Sequence, residues 1–276
     1  MSLQLDERRR AMLLEMNVRV WTGPGEAAPE PAPAAARPAA ARAAPVGAGS
    51  APSVPQAAPA PRPPQAAAPM PVVRAPVTLQ PRPSGVETMD WPALEQAVAG
   101  CQACRLCESR RNTVFGVGSR SADWLIVGEA PGENEDLAGE PFVGQAGKLL
   151  DNMLKAIGLS RQADGAGGAY IANVLKCRPP ANRNPLPEEV AQCEPYLRRQ
   201  VELLQPKIIL AMGRFAVQSL LQSTEPIGKM RGRVHEYHGV PVIVSYHPAY
   251  LLRSLPEKAK AWADLCLAMD VMQRAS

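Results

Sequence analysis

From about residue 88 onward, apolar runs alternate with amphipathic stretches. Four runs, 124–127, 169–174, 207–212 and 240–246, are apolar almost throughout rather than at every second position, the pattern of strands buried on both faces. Between and after them, residues 144–157, 187–204, 213–222 and 258–272 place apolar side chains at helical spacing. This alternation predicts an α/β fold, a three-layer α/β/α sandwich with a central, mainly parallel four-stranded sheet. Upstream, DWPALEQAVAGC offers Asp90 as an N-cap and Pro92 in the first turn, which predicts a helix that delivers Cys101. Parallel sheets bind ligands at the carboxyl ends of their strands. There the chain carries GEAPGENED after the first run, NVLKCRPP after the second and SYHPAYLLR after the fourth.

The first third reads differently. Residues 5–21 bring Leu5, Met12, Leu13, Met16 and Val18 near one helical face with Arg8, Arg9 and Arg10 opposite, a short amphipathic helix with no partner in cis. Residues 22–84 hold 17 of the 30 prolines and two acids, so they cannot bury enough apolar surface to offset chain entropy and are expected to form a disordered tether. The expected organisation is therefore 1–21 as a docking helix, 22–85 as a Pro/Ala-rich linker and 86–276 as one folded domain. With no secretion signal and no run long enough to span a bilayer, a soluble, monomeric, cytoplasmic protein without membrane contact is expected.

Net charge changes this picture little. The chain carries +4 overall, yet residues 85–276 contain 21 basic and 21 acidic side chains, so affinity for nucleic acid would need a local basic face. Arg178, Arg183, Lys229, Arg231 and Arg233 are candidates for it. The six cysteines are more informative. Cys101-x2-Cys104 and Cys177-x15-Cys193 form two pairs from distant parts of the chain, a spacing that serves zinc or an iron-sulfur cluster equally. Cys107 could compete as a ligand, whereas Cys266 lies in an apolar helix pattern.

Six segments, CQACRLC, FGVGSRSADWLIVGEAPGENED, GEPFVGQAGKLLDNML, YIANVLKCRPPANRNPLPEEVAQC, MRGRV and SYHPAYLLR, resemble in order the landmarks of family 4, iron-sulfur uracil-DNA glycosylases, here of bacterial type, while the N-terminal 85 residues form an extension outside the common pattern. The resemblance covers about residues 95–255 and implies the uracil-DNA glycosylase fold and excision of uracil from single- or double-stranded DNA. It implies a 4Fe-4S cluster on Cys101, Cys104, Cys177 and Cys193, with Cys107 outside the ligand set. Glu140 departs from it, standing where the family carries Arg. The short stretch KCRPPANRNP has neither the insertion nor the histidine of a sister group that traps the abasic sugar, so ordinary product release is expected.

The same resemblance assigns roles that the chemistry makes intelligible. Phe142 would stack on an everted uracil. Asn173 would accept from uracil N3–H and donate to O4, the reverse of what cytosine presents. His247 would donate to O2 as negative charge builds there. Glu129, which needs to be ionised, would position water and face the sugar cation, with Gly128 and Ala130 offering close backbone approach, while Glu135 would lie near uracil C5. After His247, Leu251 and Leu252 read as a wedge into the base stack and Arg253 as a phosphate contact. His235 and His238 fall in a polar hairpin or loop and have no expected role. Residues 5–21 are also similar to the N-terminal peptide by which a small clamp-loader subunit holds its partner, which implies a replication or repair protein docking there.

Overall fold

The computed structural model describes residues 79–275, so the stretch 5–21 and nearly all of the Pro/Ala-rich segment lie outside the described residues. Helix α1 (Trp91–Ala99) starts as the sequence predicts, with the Asp90 carboxylate accepting from the Ala93 N–H at 3.0 Å and Pro92 in the first turn. Then follow α2 (Leu106–Ser109), β1 (Val117–Gly118), β2 (Trp124–Gly128), α3 (Glu133–Ala138), α4 (Gln145–Ala156), β3 (Ala169–Asn173) and α5 (Pro187–Leu204). The second half comprises β4 (Ile208–Met212), α6 (Arg214–Leu221), α7 (Ile227–Met230), β5 (Val234–Tyr237), β6 (Val240–Ser245), α8 (Pro248–Arg253) and α9 (Lys258–Ala275).

The sheet runs in the order β1-β3-β2-β4-β6-β5. Its inner four strands are parallel, as expected, but two antiparallel edge strands extend it to six. β1 is only two residues long and carries a glycine, too little to register as a strand pattern. β5 is VHEY with only Tyr237 buried, the polar texture of an edge. His235 and His238 thus sit in the β5–β6 hairpin, away from the strand ends that matter.

Each inner strand feeds both layers because successive side chains point to opposite faces. Trp124, Ile126, Ile171, Leu210 and Ile243 pack beneath Leu150, Met153 and Leu154 of α4 and Trp262 and Leu265 of α9. Leu125, Val127, Ala172, Ile209 and Val244 pack against Leu197 and Val201 of α5 and Val217 and Leu220 of α6. The result is a three-layer sandwich. From β2 the chain moves to β3 on one side and then returns across to β4 on the other, which leaves a crevice at the carboxyl end of the sheet where the winding reverses. No helix among the described residues is long and apolar enough to cross a membrane.

Two expectations shift. The folded part begins before residue 86, since the Gln80 N–H donates to Gln102 O at 3.1 Å and Arg82 Nη1 to Gln192 O at 3.3 Å. Arg231 is not a DNA-facing cation: Nε and Nη2 each reach Asp264 at 2.8 Å and the guanidinium lies 4.7 Å above the Tyr246 ring, locking α9 to the end of β6. Asp264 is 1% exposed. Asp264→Ala would strand that guanidinium in a low-dielectric site, so urea unfolding should show a loss of about 3 kcal/mol.

Candidate active site and cysteine centre

The backbone ladder between β2 and β3 continues past both strands: the Val174 N–H donates to Gly128 O at 3.0 Å and the Leu175 N–H to Glu129 O at 3.1 Å. It sets Asn173 beside Gly128 and opens a cleft of about 460 Å³ lined by Glu129, Ala130, Glu135, Phe142, Asn173, His247, Tyr250 and Arg253, among others. Seven of the expected site residues thus come together from five separate segments. Gly128 forms the wall between them. A Cβ there would fall 2.4 Å from Asn173 Oδ1 and 2.6 Å from the Phe142 ring, so only glycine lets the ring and the amide meet.

Asn173 is 2% exposed, and its Oδ1 is buried without a hydrogen-bond partner. Leaving a buried acceptor unsatisfied is costly unless a ligand completes it. The Phe142 ring lies next to it, stacked on the His247 ring with centroids 5.4 Å apart and planes 25° from parallel. His247 caps the N-terminus of α8, and its Nδ1 accepts from the Ala249 N–H at 3.1 Å. That bond puts the ring proton on Nε2. Burial, only partly opposed by Glu135, pushes the His247 pKa down to about 4, so near neutral pH this is a neutral imidazole.

Burial acts on Glu129 in the opposite sense, pushing it up to about 7 against the pull of Arg214. The expectation of a simply ionised Glu129 is thereby refined, because a carboxyl poised near neutrality can take up a proton as a base. Arg214 carried no motif that pointed to it. Glu135 lines the cleft as expected, yet its carboxylate is also structural: Oε2 accepts from Gly132 N–H at 3.1 Å, and Oε1 from Val143 and Gly144 N–H at 3.1 and 3.4 Å.

On α8 the expected wedge divides. Leu251 is fully buried in the core beneath α4 and is unavailable to DNA, because helical geometry turns it inward, while Leu252 on the next position is 42% exposed. Tyr250, 38% exposed, and Arg253 stand on the rim of the cleft. Among the other basic candidates, Arg183 borders the cleft but is gripped by Glu189 at 2.9 and 2.5 Å, and Arg178 is bonded to Asn182 at 2.8 Å. Lys229 and Arg233 are exposed.

Behind the cleft, Cys101, Cys104, Cys177 and Cys193 line a single cavity with Arg110 and Tyr196, and Cys107 does not. Cys266 packs against the α9 side of the core. Burial pushes Cys177 up to about 11 and Cys193 up to about 12, and raises Cys104 as well, so these are neutral thiols until a cation draws off their protons. Two donors face them. Arg110 Nη1 reaches Cys177 Sγ at 3.1 Å, and the Tyr196 hydroxyl is buried with no partner. One donor already on a thiol and a second, buried and without a partner, fit an inorganic group held by four thiolates, whose sulfurs accept such bonds.

Between the two sites lies Lys176, to which the motifs assign no role but whose place directly after an apolar run is itself a signal. It is 1% exposed, and its Nζ donates to Asn173 O at 2.8 Å and to Gln200 Oε1 at 2.6 Å.

Comparison with known proteins gives consistent results. The uracil DNA glycosylase superfamily matches residues 115–266. A type-4 uracil-DNA glycosylase of Archaeoglobus fulgidus is 47% identical over 163 residues, 56% of this chain and 79% of that protein. Type-4 enzymes of Thermotoga maritima and Pyrobaculum aerophilum are 42% and 39% identical, over 58% and 65% of this chain and 82% and 93% of their own lengths. The protonation assigned to the cleft can be read directly: an NMR titration of His247 should inflect near pH 4. An inflection near the ordinary value of about 6.5 would mean that water hydrates the ring.

Proposed function

We propose a mechanism of uracil excision from one premise: the chain belongs to the type-4 uracil-DNA glycosylases of the uracil DNA glycosylase superfamily. It hydrolyses the N-glycosidic bond of uracil in DNA, leaving free uracil and an abasic site. The observation that carries the assignment of residues is the unpartnered, buried Asn173 Oδ1 beside the Phe142 ring. An acceptor held there meets N3–H of uracil, and the same amide can donate to O4. Cytosine presents an acceptor at N3 and a donor at N4, and so leaves both ends mismatched.

To reach that pocket the nucleotide must leave the duplex, at a cost of a few kcal/mol. Leu252 and Tyr250 are suited to fill the vacated stack, with Arg253 on phosphate, and Leu251 supports them from the core. Glu135, with its carboxylate tied to the backbone of both flanking loops, is a fixed block suited to stand against uracil C5 and exclude a methyl group. Bond breaking places negative charge on the base and positive charge on the sugar. His247, neutral with its proton on Nε2, donates to the O2 that gains charge, and it does so without bringing a cation into a dry site. Glu129 orients water toward the sugar and accepts its proton, with the backbone at Gly128 and Ala130 close by.

Cys101, Cys104, Cys177 and Cys193 would hold a 4Fe-4S cluster, which when bound would supply four iron-thiolate links joining residues 101–104 to the segment after β3 and to α5. Arg110 and Tyr196 then donate to its ligands. Residues 5–21 would dock a replication or repair protein, linked through the Pro/Ala-rich segment to a monomeric catalytic domain that works in the cytoplasm on uracil-containing DNA.

The tests are direct. Purified protein should be brown, release free uracil from a single-uracil oligonucleotide, and keep that activity when residues 1–78 are removed. Asn173→Ala and His247→Ala should each slow release about 100-fold while keeping the colour. Failure of the brown protein to release uracil from any strand sinks the reading. The rate should also depend on pH with a defined sign. Glu129 ionises near pH 7, and His247 stays neutral down to about 4, so kcat/KM should fall as pH drops below about 7, and Glu129→Gln should abolish that limb.

A further inference from the structure

Phe142 adopts φ +56, the left-handed region that a bulky aromatic side chain rarely enters and holds only when its surroundings impose it. This conformation turns the ring toward Gly128, Asn173 and His247. Glu135 grips the following residues through the Val143 and Gly144 N–H groups. The preceding carbonyls are gripped from a different part of the chain. Arg161, in the loop between α4 and β3, donates from Nη1 to Pro141 O at 2.9 Å and from Nη2 to Phe142 O at 3.2 Å. Its Nε donates to Asp151 Oδ1 at 2.7 Å, which fixes the plane of the guanidinium, and its side chain is only 12% exposed.

We propose that Arg161, anchored by Asp151, is a positioning residue for base stacking: its fork holds the Pro141 and Phe142 carbonyls so that the Phe142 ring is already in place when uracil enters. A guanidinium presents coplanar donors to two consecutive carbonyls at once, whereas a lysine ammonium is a point donor on a flexible stem. Helix α4 seals the arrangement from below, since a Cβ on Gly147 would lie 1.7 Å from Phe142 O. The inference deepens the glycosylase reading and rests on it. Arg161 itself does not line the cleft, so its effect must pass through Phe142.

That dependence sets the test, made on the full-length, cluster-loaded protein. Arg161→Lys should lower kcat for a single-uracil oligonucleotide about tenfold, leave KM for DNA within about twofold, and weaken inhibition by free uracil by a factor similar to the kcat loss. In a Phe142→Ala background the same substitution should have no further effect on kcat, because the ring it positions is gone. Asp151→Asn, at a half-exposed position that tolerates change, should show the same pattern at smaller amplitude and serves if Arg161→Lys folds poorly. Unchanged kcat in both variants, unchanged inhibition by uracil, or an undiminished loss in the Phe142→Ala background would each overturn the proposal. Wild-type protein that released uracil normally beside an unaffected Arg161→Lys would sink this role alone. Wild-type protein inert on all uracil-containing DNA would sink the glycosylase reading as well.

Discussion

The parallel ladder between β2 and β3 does not stop where the strands end. Its last two rungs, Val174 N–H to Gly128 O and Leu175 N–H to Glu129 O, hold the loop that bears Glu129 against the chain that leaves β3 directly after Asn173. Backbone hydrogen bonds in a buried setting admit little slack, because a rung that opens leaves two unsatisfied polar groups. The spacing between the carboxyl and the amide therefore belongs to the sheet and not to side-chain choice. Lys176 and Cys177 are the next two residues after the last rung, so the same ladder registers the cysteine centre with the cleft.

Desolvation is the common electrostatic theme around this ladder. It lowers His247 and raises Glu129, which leaves the imidazole neutral and the carboxyl near its balance point. It raises the buried thiols of the cysteine centre, so they wait protonated for a cation. One physical cause thus produces a hydrogen-bond donor, a base and a set of thiols that give up their protons only to a cation. What differs is only the charge that each group would carry in water. The buried Lys176 joins the two regions, bonded to the main chain of the base-reading residue on one side and to Gln200 on the other. Gln200 in turn donates to Phe115 O and the Tyr170 hydroxyl at 3.0 and 3.2 Å.

Much of this was legible in advance because it depends on local rules. Asp90 and Pro92 signal a helix start wherever they occur together before an apolar pattern, and four continuous apolar runs signal strands covered on both sides. The four cysteines were recognisable as two pairs, and the motif residues as strand-end residues. Other features were not legible, for reasons of geometry. Leu251 and Leu252 look equivalent in PAYLLR, but consecutive helix positions differ by about 100° in direction, and packing against α4 consumed the first. Arg231 reads as a surface cation until Asp264, 33 residues on, is seen to enclose it. Edge strands β1 and β5 exist only because neighbouring strands offer open hydrogen bonds.

By itself the sequence determined the alternation of strands and helices, the chemistry available at the strand ends and the number of thiols, since each depends on residue type and near-neighbour spacing. Tertiary structure decided which polar atoms are left without partners, which direction each pKa moves, and which remote side chains hold a strained loop in place. Those properties depend on distance and solvent exclusion. Asn173 Oδ1 is a waiting acceptor, and Phe142 a fixed wall, only because segments far apart in the chain close around them.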